Sequence, residues 1–356
     1  MHKKLFIPGP VEVYPDVLKV MSTPMIGHRG GDYHKLHASI RPKLKELMHT
    51  QNDVFISTSS GTGVMEACIR NMVGKRSLSC VTGAFSERWF KIVGEAGKEG
   101  DALSVEWGKA VKPAEIDKAL ATGKYDTFCL VHNETSTGIM QNLEEIAPVL
   151  KKYPEIVWCL DTVSSMGGVK IEVDKFGVDV CLASSQKALA MPPGIAVFCA
   201  SKKALARAAT VKGRGHYFDF LAFKKSDEKD ETPTTPAVTM FFVLDYQLGK
   251  MLQEGLENRY ARHVKMAQYC RTWAQEKGLK LFPEKGYESV TLTAIDNVKN
   301  FDVAALNKEL GNRGFTISDG YGQLKGKTFR IAHMGDTQLD ELKQLLDHIN
   351  DILKLK

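Results

Sequence analysis

Residues 53–107 decide the fold, and they read DVFISTSSGTGVMEACIRNMVGKRSLSCVTGAFSERWFKIVGEAGKEGDALSVEW. Short apolar runs (DVFIST, SLSCVT and DALSVEW) alternate there with amphipathic runs (GVMEACIRNMV and AFSERWFKIVGEAGKEG). Short apolar runs of this kind predict strands, whereas apolar residues at every third or fourth position predict a helix. The stretch therefore predicts two strand–helix units followed by a third strand.

The same alternation continues to about residue 200. The further runs are PAEIDKAL, TFCLVH, LEEIAPVLKKY, IVWCLD, VDVCLASS and GIAVFCA. Strands that alternate with helices form parallel sheets whose two faces are covered by those helices. We predict an α/β fold whose large domain is a doubly wound, mostly parallel sheet of about seven strands.

A second unit follows in the C-terminal part of the chain. The charged, Pro-rich segment FLAFKKSDEKDETPTTPA (residues 220–237) predicts an exposed loop. Beyond the helical patterns that come next, SVTLTAI, FTIS, KTFRIAH and the amphipathic C-terminal stretch predict a small α/β unit. We expect a large domain over residues 16–257 and a small C-terminal α/β domain over residues 258–356.

The composition is that of an ordinary globular chain. Its 356 residues, 43% of them hydrophobic and 25% charged, suffice for one large core and a second, smaller one. The 48 basic and 42 acidic residues are mixed along the sequence, which argues against nucleic-acid and membrane binding. No run approaches the roughly 18 apolar residues of a membrane span, and MHKKLFIPGP breaks at Pro8 before a signal sequence forms. We expect a cytoplasmic protein.

The cysteines indicate neither a disulfide framework nor a metal site. There are seven, with no C-x-x-C pair. Five lie in strand-like runs, and Cys68 and Cys270 lie in helical patterns, so we expect them to pack as small apolar side chains.

Two strand ends carry the strongest candidates for catalysis. Lys187, in SSQKALAMPPG, follows a predicted strand, and a deprotonated lysine amine forms Schiff bases with aldehydes. Asp161 ends the strand IVWCLD at the edge where open α/β sheets bind ligands. A carboxylate there can hold a pyridinium nitrogen protonated. Taken alone, Lys187 is better explained as a solvated surface lysine, and Asp161 is explained equally well as an aspartate that caps a turn.

Three further features could complete a site. The turn STSSGTG offers backbone N–H groups of Ser60, Gly61 and Thr62 to a phosphate, although a plain helix cap explains it nearly as well. Arg330, in KTFRIAHMGD, can clamp a substrate carboxylate or form a structural ion pair. Phe85, in TGAFSERW, can stack on an aromatic cofactor or belong to the core.

Three other segments carry no catalytic prediction. The histidines of GHRGGDYHKLH (His28, His34 and His37) lack a metal-binding pattern, and their Gly-rich surroundings favour a loop that acts as an active-site lid. The charged run KKSDEKDE (residues 224–231) predicts a solvated face, and NRYARHVKMAQYCR (residues 258–271) predicts a surface helix.

Together the phosphate turn, the strand-end aspartate and the S-Q-K-A-L-x-x-P-P-G motif resemble those of one enzyme family. The sequence is similar to the class V, fold type I pyridoxal-phosphate aminotransferases, and within them to the alanine–glyoxylate and serine–glyoxylate (serine–pyruvate) enzymes. IPGPVEV, GHRGGDY, HNETSTG and FRIAHMG extend this resemblance over essentially the whole chain.

The resemblance implies a role for each candidate residue. Lys187 would form the Schiff base with pyridoxal 5'-phosphate, and Asp161 would pair with the pyridine nitrogen. The other residues that it implies in cofactor binding are Ser60, Gly61, Thr62, Phe85, Thr135, Val163 and Gln186. Thr135 would also face the substrate, and Arg330 would bind its carboxylate. Thr235 would reach the phosphate of a neighbouring subunit, which implies a homodimer. We expect residues 1–15 to pack near this site and the small domain.

The implied function is a ping-pong transamination from serine or alanine to glyoxylate or pyruvate. Phe85, Thr62 and Thr232 depart from the tryptophan, histidine and tyrosine found in relatives, so the cofactor contacts should differ slightly. A 2-aminoethylphosphonate aminotransferase is the nearest alternative, and a cysteine desulfurase is disfavoured because Gln186 precedes the lysine. A nicotinamide-dependent dehydrogenase lacks its glycine fingerprint here. A non-catalytic ligand-binding protein is the remaining alternative.

Overall fold

The computed structural model describes residues 2–355, which form three β-sheets and thirteen α-helices. The strands β1 to β14 are, in chain order, Lys4–Phe6, Asp53–Ser57, Ser77–Val81, Gly100–Ser104, Thr127–Val131, Asn133–Glu134, Ile139–Met140, Val157–Asp161, Val180–Ser184, Ala196–Ala200, Lys280–Leu281, Leu292–Asp296, Phe315–Asp319 and Thr328–Ala332. The helices α1 to α13 are Pro15–Val20, Gly31–Met48, Gly61–Met72, Ala84–Glu95, Pro113–Leu120, Leu143–Leu150, Val173–Phe176, Lys202–Thr210, Phe220–Asp227, Val238–Glu254, Leu256–Glu276, Val303–Asn312 and Leu339–Leu353.

A seven-stranded sheet forms the centre of the larger part of the molecule. Its strand order is β2-β10-β9-β8-β5-β3-β4, and every strand runs in one direction except β10, which is antiparallel to both neighbours. The predicted α/β fold with a mostly parallel sheet is confirmed.

Helices cover both faces of this sheet. Along β5, Phe128 and Leu130 belong to one buried cluster, which includes residues of α2, α5, α6 and α10. Cys129 and Val131 belong to the opposite cluster, with residues of α3, α4, α8 and α9. Because both faces are buried, the strand sequence TFCLV is continuously apolar rather than alternating.

The strand directions place five connections at one edge of the large sheet. The carboxyl ends of β2, β3, β5, β8 and β9 all lie at this edge, because these strands run in the same direction. The segments that leave these ends contain Ser60, Phe85, Thr135, Asp161 and Lys187. Open α/β sheets bind their ligands in this position.

A second, five-stranded sheet has the order β1-β13-β14-β12-β11. The N-terminal strand β1 pairs in parallel with β13, so both ends of the chain contribute to this sheet. Its core packs against α11, α12 and α13. The boundary proposed after residue 257 falls in the first turn of α11, and the division into domains stays a proposal. Met1 and Lys356, the outermost residues of the proposed segments, lie outside the described residues.

The predicted loop over residues 220–237 is wrong in its first half. Residues Phe220–Asp227 form α9, and the side chain of Asp219 accepts a hydrogen bond from the N–H of Leu221 at its start. Phe220 and Phe223 lie on one side of this helix and are buried against the large sheet. This packing of two phenylalanines outweighs the charged composition of the segment.

The predicted lid over GHRGGDYHKLH is also wrong. His34 and His37 lie in the 18-residue helix α2, and buried His37 contacts Asp227 at 3.0 Å. Asp227 also pairs with Arg41. The carboxylate of Asp227 is buried because it contacts these two residues of α2. The charged run 224–231 is therefore only partly a solvated face.

The prediction of a surface helix over residues 258–271 is wrong for one face of α11. That face buries Arg259, His263, Met266 and Cys270. Arg259 is 1% exposed and donates to the carbonyl oxygens of Gly167 and Ala188, so its charge is satisfied inside the protein.

The cysteines pack inside the protein, as the sequence predicts. All seven cysteines are buried and unpaired. Among residues 2–355, no group of three or more metal-ligating side chains lies together. In the same range, none of the helices is both long enough and apolar enough to cross a lipid bilayer.

Candidate active site

A cleft opens at the carboxyl edge of the large sheet. Nine of the residues singled out in the sequence line it: Ser60, Gly61, Thr62, Phe85, Thr135, Asp161, Val163, Gln186 and Lys187. These residues come from five separate connections, and the parallel strands bring them together.

Lys187 lies half-buried in the turn that follows β9. Its Nζ donates a hydrogen bond to the carbonyl oxygen of Pro8, and Nζ lies 5.8 Å from the centroid of the Phe85 ring. Burial and, after it, the charge of Arg330 lower the pKa of Lys187 to about 8, while Asp161 opposes the shift. The amine is therefore far more often uncharged at neutral pH than an ordinary lysine.

The N-terminal segment forms one wall around this lysine. A Cβ on Gly9 would lie 2.7 Å from Nζ of Lys187, so only glycine fits at this position. The N–H of Val11 donates to the carbonyl oxygen of Gln186 at 3.1 Å. This contact fixes the segment beside the lysine turn.

Asp161 ends β8 at the floor of the cleft and is 4% exposed. Its Oδ1 accepts a hydrogen bond from the N–H of Val163 at 2.6 Å, which is the turn-capping contact that the sequence allows. No hydrogen bond among residues 2–355 uses Oδ2. Burial, with a smaller contribution from nearby Glu134, raises the pKa of Asp161 to about 7, while the hydrogen bond from the N–H of Val163 opposes the shift. One oxygen is thus fixed and the other is left for a ligand.

The turn between β2 and α3, which the sequence predicts to bind an anion, lines the cleft with Ser60, Gly61 and Thr62, and the N–H of Gly61 donates to Oγ of Ser184 at 3.2 Å. Ser60 precedes the first residue of α3, yet its side chain makes no capping hydrogen bond. A Cβ on Gly61 would lie 2.6 Å from Val163, so glycine lets the turn approach the strand end closely. Ser184 donates to Oε1 of Gln186 at 2.6 Å, which orients the amide of Gln186 beside this turn.

Glu134 organises the opposite wall and was missed in the sequence. Its carboxylate is fully buried and forms no ion pair among residues 2–355. It accepts hydrogen bonds from the N–H groups of Phe85, Ser86 and Ser136 and from both serine hydroxyls. These bonds join the start of α4 to the β6–β7 hairpin, so Glu134 positions Phe85 and Thr135. The only sequence signal was its place beside Thr135 in HNETSTG.

Arg330 lies on β14 and is 5% exposed; it is not among the residues that line the cleft but contacts Thr135, which is. It donates to the carbonyl oxygens of Thr135 at 3.0 Å and of Asp319 at 2.9 and 3.1 Å. No carboxylate of the described chain forms an ion pair with it, so the alternative of a structural ion pair does not hold. Its net positive charge remains available.

The comparisons with known proteins agree with this geometry. The family model described as aminotransferase class-V matches residues 15–345. The chain belongs to the class V aminotransferases. It is similar to an uncharacterised aminotransferase of Methanocaldococcus jannaschii, with 40% identity over 94% of this chain and 88% of the relative.

Two further relatives of this class V aminotransferase carry more specific names. The serine–glyoxylate aminotransferase of Methylorubrum extorquens is 32% identical over 96% of this chain and 88% of the relative. The crystal structure of an alanine–glyoxylate aminotransferase from Nostoc sp. has a TM-score of 0.94 and 30% identity, covering 99% of this chain and 96% of that one. The predicted family and enzyme class are confirmed, and the dehydrogenase and non-catalytic alternatives are wrong.

Not every predicted site residue of this class V aminotransferase lines the cleft, and some residues that line it were not predicted. Thr235 is exposed, and it does not line the cleft of its own chain. Arg88 and Asn133 also line the cleft but were missed: Arg88 lies within a helical pattern, and Asn133 follows the strand-like run TFCLVH without having been singled out. Cys270 is fully buried, and burial raises its pKa to about 12, which is unsuited to the mobile thiol of a desulfurase.

Proposed function

We propose that the protein is a pyridoxal 5'-phosphate-dependent transaminase that moves an amino group from serine or alanine to glyoxylate or pyruvate. The observation that supports it most is the lysine amine of Lys187 in one cleft with Asp161 and the anion-binding turn at Gly61. The names of the similar serine–glyoxylate and alanine–glyoxylate enzymes support the choice of substrates.

The residues of the cleft fit this cofactor. The turn at Ser60, Gly61 and Thr62 supplies the donors for its phosphate, with Gln186 beside them. Gly61 leaves space that a Cβ would fill, and Phe85 and Val163 provide apolar surfaces for the ring. The buried Oδ1 of Asn133, which has no hydrogen-bond partner, adds a polar atom without a role in the described chain.

When bound, the cofactor supplies an aldehyde that condenses with amines and a ring that withdraws electrons from the α-carbon. Lys187 would hold this aldehyde through its amine and would move the α-proton of the substrate as general acid and base. Asp161 would keep the ring nitrogen protonated through Oδ2. Arg330 orients the substrate by its carboxylate, and Thr135 lines the same side. The donor and acceptor react in turn, which gives ping-pong kinetics.

We also propose a homodimer with shared active sites. Thr235 is exposed, whereas Ala237 nearby donates its N–H to Oγ1 of Thr58, just beyond β2. The segment that carries Thr235 is therefore anchored beside the turn yet directed outward. In a dimer, Thr235 would reach the phosphate site of the partner subunit.

The proposal is tested by the light absorption of the purified protein. With pyridoxal phosphate it should be yellow, lose that colour after borohydride reduction, and change its spectrum with serine or alanine. A screen of donors, including 2-aminoethylphosphonate, against glyoxylate and pyruvate identifies the substrates. Strong activity with the phosphonate and little with serine would instead support the alternative aminotransferase, and no spectral change with any amine would contradict the proposal.

The attachment of the cofactor should depend on pH through Lys187. Because its pKa is lowered to about 8, the uncharged fraction of the amine rises about tenfold for each pH unit below that value. We expect the rate of pyridoxal phosphate attachment to the apoprotein, followed by absorption, to rise from pH 6 and level off above about pH 8. A midpoint near the ordinary lysine value would show that the amine is solvated.

Replacing Arg330 with Ala should weaken the binding of carboxylic substrates. A charge-assisted pair with a carboxylate contributes binding free energy that the variant would lose. We therefore expect kcat/KM for serine to fall about 10- to 100-fold, chiefly because KM rises. The matched control is Arg313→Ala, which removes a surface arginine paired with Asp351 on the same part of the molecule. An unchanged kcat/KM in Arg330→Ala would remove Arg330 from this role.

A further inference from the structure

Arg259 is a buried cation to which the proposed function gives no role. It lies in the first turn of α11, and it is 1% exposed. Its Nη1 donates to Oδ1 of Asp336 and to Oε2 of Glu254, both at 2.9 Å. Its Nε donates to the carbonyl oxygen of Gly167 at 2.8 Å, and its Nη2 donates to that of Ala188 at 3.0 Å. The guanidinium therefore holds two carboxylates and two backbone carbonyls at once.

Three of these contacts lie on connections that carry the proposed site residues. Gly167 belongs to the connection that follows β8, the strand that ends at Asp161. Ala188 is the residue next to Lys187. The carboxylate of Asp336 follows β14, which carries the arginine proposed to bind the substrate. One side chain thus joins the three connections on which the proposed site depends.

The turn of Lys187 needs support on the side that faces α11. Within residues 2–355, no group other than Arg259 donates a hydrogen bond to the carbonyl oxygen of Ala188. Ala190 closes the turn by donating its N–H to the carbonyl oxygen of Lys187 at 2.8 Å, and its φ is +55°. A residue with a side chain keeps this left-handed conformation where its surroundings impose it. Those surroundings include Arg259 and Gly335, on which a Cβ would lie 3.0 Å from Cβ of Ala190.

We propose that Arg259 is a positioning residue, whose guanidinium fixes the turn of Lys187 against the connection after β8 and so keeps the lysine amine in the cleft. The inference rests on the proposed function, which makes that amine the group that holds the cofactor. A guanidinium suits this task because its N–H donors have a fixed planar arrangement and its charge persists at any physiological pH. Arg259 itself does not line the cleft, so its effect reaches the chemistry only through Lys187.

The alternative is that Arg259 only stabilises the fold through its ion pair with Asp336, since breaking a buried pair is destabilising. The two carbonyl contacts are separate from that pair, and one of them acts directly on the turn of Lys187. The two roles can be separated by mutation, because Asp336 has further partners. It accepts from Nε2 of Gln247 at 3.1 Å and pairs with Lys250 at 3.0 Å.

The first test follows the lysine turn by hydrogen exchange in the protein without cofactor. Arg259→Met keeps an unbranched side chain but removes every donor. We expect the N–H groups of residues 187–191 to exchange about tenfold faster or more than in the wild type, because the turn opens more easily. The matched control is Arg271→Met, which changes an arginine of the same helix that donates to the carbonyl oxygens of Glu288 and Ser289. It should leave the exchange of residues 187–191 unchanged.

The second test measures the reactivity of Lys187 in the same variants. The pH midpoint of pyridoxal phosphate attachment should rise by about one pH unit in Arg259→Met, because the amine of a loosened turn is better solvated. We expect kcat to fall about 10- to 100-fold while KM for the amino donor changes less than about threefold. Asp336→Asn removes the charge of the ion pair but leaves the carbonyl contacts of Arg259. It should lower the unfolding temperature and keep the wild-type midpoint.

Wild-type exchange and a wild-type midpoint in Arg259→Met would overturn the inference, as would equal changes in Arg271→Met. An equal rise of the midpoint in Asp336→Asn would also overturn it, because the ion pair rather than the carbonyl contacts would then act on the lysine. If Arg259→Met does not fold, Arg259→Lys replaces it, since lysine keeps the charge but lacks the fork that reaches both carbonyls. Wild-type exchange in Arg259→Lys would then overturn the inference. If the wild-type protein attaches no pyridoxal phosphate, the proposed function itself has failed.

Discussion

Replacing Lys187 with Ala is expected to abolish transamination, with kcat reduced by about 1,000-fold or more. The change removes both the amine that holds the cofactor covalently and the group that moves the α-proton. No other lysine lines the cleft in the described chain, so no neighbour can substitute for it. The measurements are kcat with the preferred donor and the mass of the protein after borohydride reduction with pyridoxal phosphate.

Loss of folding would not explain this result. The Lys187 side chain makes one hydrogen bond, to the carbonyl oxygen of Pro8, and its pKa is lowered because the charged amine is poorly solvated. Its removal should therefore leave the unfolding temperature close to that of the wild type. Lys187→Arg provides a second variant, because it keeps a positive charge but cannot form the covalent bond. Full activity in either variant would end the proposed function.

The second large effect is expected for Asp161→Asn. Asparagine has nearly the same shape and can still accept the hydrogen bond from the N–H of Val163, so the turn should persist. It cannot carry the negative charge that keeps a ring nitrogen protonated, because an amide is neutral. We expect kcat to fall about 100- to 10,000-fold while the protein stays folded. The absorption spectrum of the bound cofactor should change as well.

A matched control lies in the neighbouring strand. Asp179 precedes β9, is 5% exposed, and accepts a hydrogen bond from the N–H of Trp158 at 2.9 Å. It resembles Asp161 in burial and in its backbone contact but lies at the opposite edge of the sheet. Asp179→Asn should change stability without changing the cofactor spectrum. If both variants lose activity equally, the effect of Asp161 is structural rather than electrostatic.

The large sheet could be predicted from the sequence because its signal is local. Each parallel strand is buried on both faces and is therefore a short, continuous apolar run such as TFCLV in β5. Helices that are buried against residues distant in the sequence were predicted wrongly as loops. In α9, Phe220 and Phe223 are surrounded by lysines and acids, and in α2 the flanking glycines obscured a helix that buries His37 against Asp227.

The sequence predicted those residues of the candidate site that lie at or near strand ends. Asp161 ends β8 and Lys187 lies three residues beyond β9, and parallel strands bring such positions to one edge. Residues that contribute to the cleft only through tertiary contacts were missed. Arg88 lines the cleft from α4, and Glu134 acts through backbone N–H groups that no sequence pattern displays.

The pairing of β1 with β13 sets an order of events during synthesis. Lys4 leaves the ribosome before Phe315, with which it pairs roughly 300 residues later. At about 5 to 20 residues per second, more than ten seconds separate the two. Throughout that interval β1, which precedes the wall formed by Pro8 and Gly9, has no strand to pair with. The nascent chain therefore carries an unfinished lysine pocket until β13 has been synthesised.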